Sequence, residues 1–119
     1  MSVNKDSQSL IFQLRKFADE RDWNKFHSPK NLSMALSVEV SELLEHFQWL
    51  TEDQTKNLNL TQKEKVKEEL ADIYLYLLRL SDVLEVDLNQ VAKEKIILNG
   101  EKYPVSKSYG KATKYSDFE

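Results

Sequence analysis

The chain has 119 residues, 31% of them charged, and a formal net charge of −3. That balance gives no bulk attraction to nucleic acid polymers or anionic membranes, and the lack of cysteine excludes disulfides and thiolate metal sites. The length predicts one domain. Two Gly and two Pro among many Leu, Glu and Lys favour helices over turn-rich β structure.

The opening MSVNKDSQSL lacks the apolar run of a secretory signal. The longest apolar run, near Ile73–Leu78, is far short of the ~18–20 residues that span a bilayer. A soluble, cytoplasmic protein with no membrane contact is expected. The first helical period covers Ser7–Asp22, where Leu10, Ile11, Leu14, Phe17 and Ala18 share a face. Ser28-Pro29 then provides a cap and a first-turn proline for a second helix reaching about Leu50. The polar TEDQTKNLNLT reads as a loop. Thr61 with Glu64 fits a capping box that opens a third helix to about Leu84. Asp87 with Gln90 fits another, for a shorter fourth helix ending at Asn99-Gly100. The predicted fold is all-α, a four-helix bundle-like protomer spanning residues 1–104. A polar tail, residues 105–119, has little to bury.

Acids interrupt two of these helices in matching phase. With Glu39 at zero on a wheel of ~100° per residue, Leu32, Leu36, Val40, Leu43, Phe47 and Leu50 fill an arc on one side. Glu42 falls on the other side, near Trp49. With Glu69 at zero, Val66, Leu70, Ile73, Leu77, Leu80 and Leu84 fill the same arc, and Asp72 takes the place of Glu42. Packing the two stripes together brings four carboxylates to one rim. Such a group repels itself and resists desolvation unless a hard cation compensates it. Oxygen ligands favour Mg²⁺, Mn²⁺ or Ca²⁺ over zinc. One acid pair alone would read as a solvated face; two pairs in phase shift the balance toward metal. A di-iron bundle needs Glu-x-x-His on two helices, and Leu43 stands where the Glu before His46 would be.

Large aromatics such as Trp23 and Trp49 are usually core residues, but Trp49 on the acidic side of the wheel could stack on a base. His27 reads as a surface or capping residue by default. Lys93, Lys95 and Lys102 form either a solvated face or phosphate partners. No P-loop and no nucleophile triad or dyad is evident.

Four ordered blocks, FADERDWNKFHSPKNL, SVEVSELLEHFQW, EELADIYLYLL and NGEKYP, resemble the MazG-like all-α nucleoside triphosphate pyrophosphohydrolases, and most closely their dCTP pyrophosphatase branch. The similarity covers about Leu10 to Pro104. It implies an enzyme that cleaves a (deoxy)nucleoside triphosphate, with dCTP or a related dNTP expected, to the monophosphate and pyrophosphate. The implied cofactor is Mg²⁺, with Mn²⁺ as a substitute, held by Glu39, Glu42, Glu69 and Asp72. The attacking water is activated either by metal coordination or by a ligand carboxylate, with Glu39 or Glu42 as the candidate base. Trp23, Lys25, His27, Trp49 and Tyr76 match substrate-contacting positions, and Lys95, Asn99, Lys102 and Tyr103 match a last-helix block assigned to phosphates. A homodimer or homotetramer with sites shared between subunits is implied. The chain departs from close vertebrate members at Leu14, where they carry a His. The competing readings are a non-catalytic helical interaction module and a divalent-ion-binding structural protein.

Overall fold

Each long helix after the first begins at a side chain that can cap it. In the computed structural model, residues Ser2 to Glu119 are described, with side chains from Lys5 onward. The helices are α1 (Ser2–Glu20), α2 (Pro29–Glu45), α3 (Glu52–Lys56), α4 (Leu60–Val83), α5 (Leu88–Lys102) and α6 (Val105–Ser108). Single 3-10 turns lie at Asn24–Phe26 and Tyr115–Asp117, and there are no strands among the described residues. The fold is all-α, as the composition indicates.

Ser28 accepts from the Asn31 N–H and caps α2, with Pro29 in the first turn, where a missing N–H costs nothing. Asp87 caps α5 by accepting from the Gln90 N–H. No closed box forms there, and the Gln90 side-chain NH₂ donates to Glu94 at 3.1 Å. Several expectations need correction. The third long helix starts two residues early, capped by a reciprocal Asn59–Gln62 box, while Glu64 pairs with Lys67 at 3.0 Å. The presumed loop contains α3, closed by its own Thr51–Gln54 box; five residues are too few to show a period. α5 runs through Gly100 to Lys102 and stops before Pro104, which disfavours helical backbone in the residue preceding it.

α2 also ends earlier than expected, at Glu45, and Phe47 to Leu50 continue in turns. The chain divides into two units, Met1–Val86 and Asp87–Glu119. In the first, α4 packs along α2 and, less extensively, against α1. In the second, the Tyr103 ring meets Tyr115 and Phe118 edge-on, both at 5.8 Å. The tail thus buries some aromatic surface that its polar composition concealed.

The core is small. Among the described residues the buried hydrophobics are Ala18, Leu32 and Leu78, the two leucines at 2% exposure. The helical wheel placed Val40, Leu70, Leu77 and Leu84 in the buried stripe, yet all four are exposed. α4 turns Leu78, Arg79 and Ser81 inward instead, since it must face α1 as well as α2.

Candidate active site

The acids are set by two packed helices. Glu39 on α2 and Glu69 and Asp72 on α4 each offer an oxygen within 4.8 Å of the others. Glu42, one turn along α2, is near enough for its carboxylate to act on Glu39. Burial pushes the Glu39 carboxyl up from 4.5 to about 7, reinforced by hydrogen bonding with Glu69 and Glu42 and by the charges of Glu42 and Asp72. Two oxygens here, Glu39 Oε2 and Glu69 Oε2, are buried without a hydrogen-bond partner. His46 Nε2 stands 3.8 Å from Glu69 Oε1, too far for a hydrogen bond. Orphaned buried carboxylate oxygens are costly. A hard divalent cation fits them, because it accepts several carboxylate oxygens and supplies the missing positive charge.

Beside the acids lies a cavity of about 340 Å³. α1 contributes Leu14 and Phe17, and the turn after it Trp23 and His27. α4 contributes Asp72, Leu75, Tyr76 and Arg79. Asp72 therefore belongs to both the acid group and the cavity wall.

The end of α1 aims Trp23. Asp22 takes a left-handed φ of 53°, the Asp22 N–H bonds to Asp19 O at 3.2 Å, and the Trp23 N–H reaches back to Ala18 O at 2.9 Å. This is a Schellman closure, which characteristically brings the following residue onto the last helical turn. Accordingly the Trp23 indole meets Phe17 edge-on at 5.7 Å and His27 at 6.3 Å.

A polar network backs the cavity. Arg79 Nε donates to His27 Nδ1 at 3.0 Å, one Arg79 terminal nitrogen to Asn24 Oδ1 at 2.5 Å, and the other approaches Asp82 at 3.5 Å. Arg15 from α1 grips the same Asp82 with two bonds of 2.8 and 2.6 Å. The Asn24 amide donates to Asp19. The Arg15 hydrogen bond and charge, with a smaller contribution from the Arg79 charge, hold the Asp82 carboxyl below its usual range against the effect of burial. Burial, then the Arg79 charge, lowers the His27 pKa.

Of the residues singled out in the sequence, Glu39, Glu69 and Asp72 come together, Glu42 stands next to Glu39, and Trp23, His27 and Tyr76 line the cavity beside them. Lys25 does not line it; the ammonium pairs with Asp22 at 2.9 Å. Trp49 does not line it either and is 85% exposed. Lys95, Asn99 and Lys102 lie on α5 in the second unit, where the Asn99 carbonyl accepts from the Tyr103 N–H and the Lys102 ammonium lies 4.9 Å from the Tyr115 ring. Sequence reasoning missed Arg79. The available signal was a lone cation inside the apolar run IYLYLLRL.

Fold and site define an all-α protein that gathers carboxylates from two packed helices beside an aromatic-lined cavity. Residues 34–118 match the MazG-like family, and the chain belongs to it. It is 43% identical over 104 residues to dCTP pyrophosphatase 1 of Mus musculus and 38% identical to that of Homo sapiens. Each match covers 86% of this chain and 61% of the mammalian one, so the chain spans about three-fifths of the length of these relatives. A solved pyrophosphatase from Archaeoglobus fulgidus superposes with a TM-score of 0.78 at 44% identity, covering 82% of this chain and 91% of that one. No described helix is long and apolar enough to cross a membrane.

Proposed function

We propose that this protein is a nucleoside triphosphate pyrophosphohydrolase, acting on dCTP or a related dNTP with Mg²⁺. The observation that carries this reading is the joining, through Asp72, of an acid group with orphaned oxygens to an aromatic-lined cavity. The names of the mammalian relatives and of the archaeal structure support the reaction and, for the mammalian ones, the base.

Glu39, Glu42, Glu69 and Asp72 would hold the ion, which when bound supplies positive charge to the triphosphate oxygens and the departing pyrophosphate. The Glu39 or Glu42 carboxylate takes the proton of the attacking water. Water adds to phosphorus, the α–β bridging bond breaks, and pyrophosphate leaves with that bridging oxygen. Trp23 and Tyr76 flank the base, and apolar Leu14 and Phe17 exclude water around it. Lys95, Asn99 and Lys102 are assigned to the phosphates on their chemistry, and Trp49 and Lys25 to substrate contacts outside the cavity wall.

The test is pyrophosphate release from a panel of dNTPs, NTPs and 5-substituted dCTPs, with Mg²⁺ and with EDTA. Metal-dependent release is expected, greatest for cytosine nucleotides. No release from any nucleotide would return the chain to the interaction-module reading.

Metal and proton compete for the same oxygens. Because folding raises the Glu39 pKa from 4.5 to about 7, its contribution to metal-free stability is full below pH 4.5 and is lost as pH rises through 7. Metal binding should run the opposite way, tightening up to ~tenfold per pH unit across this window with release of about one proton. Titration calorimetry in buffers of different ionisation enthalpy measures that proton. A pH-independent affinity between pH 5 and 7 would remove Glu39 from the ligand set.

We also propose a homodimer or homotetramer. Ile96 and Ile97 are adjacent on α5 and 72% and 66% exposed, apolar side chains that a second copy would cover. A monomer by light scattering at micromolar concentration would contradict this.

A further inference from the structure

Arg79 is 9% exposed, and no other charged residue is buried among the described residues. Burying a guanidinium is costly, and an apolar residue of similar size usually serves packing better. Its donors go to His27, Asn24 and Asp82, and Asp82 is held in turn by two bonds from Arg15. The guanidinium is therefore fixed from two sides.

That rigidity has a chemical result at His27. An arginine Nε–H can only donate. The His27 Nδ1 that receives it must be the unprotonated ring nitrogen, which leaves the single proton of the neutral ring on Nε2. His27 Nε2 has no hydrogen-bond partner among the described residues, and the imidazole lines the cavity. Leu14, Phe17 and Leu75 make the rest of the wall apolar, and the polar atoms of Trp23, Asp72 and Tyr76 on the same wall make no hydrogen bond to His27.

We propose that Arg79 is a positioning residue for base choice. It fixes His27 as the Nε2–H tautomer, so that the ring acts as a donor and reads an acceptor on the nucleobase, such as the 2-carbonyl or N3 of cytosine. A base that presents an N–H at this point leaves two donors facing each other, and a buried mismatch of that kind discriminates strongly. The inference rests on the nucleotide reading above and names the group that selects within it.

The first test needs no turnover. The chain has two histidines, so nitrogen NMR resolves His27 from His46 once a His46→Gln spectrum is recorded. The free protein should show the His27 proton on Nε2. Adding dCMP should shift that nitrogen, whereas deoxyribose 5-phosphate, which lacks the base, should leave it in place. A proton on Nδ1, an equal response to both probes, or no response to either overturns the proposal. If the protein cleaves no nucleotide but dCMP still shifts His27 Nε2, the proposed reaction fails and this inference stands.

Kinetics supply the second test. Arg79→Met should raise KM for the preferred nucleotide by at least about tenfold and flatten the differences among bases, with kcat changing by less than about threefold. His27→Phe should do the same. His27→Gln should keep more of the discrimination among bases than His27→Phe, because its amide oxygen can accept from Arg79 while its NH₂ still donates. That variant keeps the test valid should Arg79→Met fold poorly. Losses that fall on kcat, or fall equally on every base, would make Arg79 a purely structural residue.

Discussion

Replacing Glu39 by Gln should reduce Mg²⁺-dependent pyrophosphate release by at least about 10²-fold without destabilising the metal-free fold. The two halves of this expectation have one cause. Glu39 lies among Glu42, Glu69 and Asp72, and its Oε2 is buried with nothing to bind. In the metal-free protein at pH 8 its charge is a burden, which the neutral amide removes. In the loaded protein that charge would be a ligand, which the amide would weaken. Thermal melts at pH 8 should therefore show an equal or higher Tm without metal and a smaller rise on adding Mg²⁺. A variant that loses activity and metal-free stability together would mean that Glu39 is structural.

Leu78→Ala should cost about 3 kcal/mol of folding stability, measured by urea unfolding. Among the described residues Leu78 is one of two large side chains that are completely buried, and it lies on α4 between the residues of the site, two positions from Tyr76 and next to Arg79. Small domains have only about 5–15 kcal/mol in total, so such a loss is a large share. Loss of Leu78 should also loosen the cavity wall, since a cavity left in a packed interior relaxes only partly. A cost below about 1 kcal/mol would mean that the core lies elsewhere.

The acids were legible because their spacing repeats on two helices against apolar neighbours. The helix starts at Ser28 and Asp87 were legible because capping is local chemistry. Thr61 with Glu64 and Asn59 with Gln62 both satisfy the capping-box pattern, and nothing in the sequence ranks the two. The arginine network was not legible for a different reason. Its partners His27 and Asn24 are 52 and 55 positions from Arg79, and only packing brings them together. The wheel misjudged Leu70 and Leu77 because an apolar stripe marks what can be buried, whereas α4 has to divide its surface between α2 and α1.

Glu69, Asp72, Tyr76 and Arg79 recur along α4 at intervals of three and four, which places them within a ~80° sector over ~15 Å of helix axis. The spacing from the acid group to the arginine beside the cavity is thus written into helical register. One residue inserted between Asp72 and Arg79 would rotate everything beyond it by ~100° and take the guanidinium off that sector. Length changes between His46 and Asn59 leave the register untouched. Descendants of this chain are free to lengthen that connection, whereas the stretch of α4 between the two ends is closed to insertion and deletion.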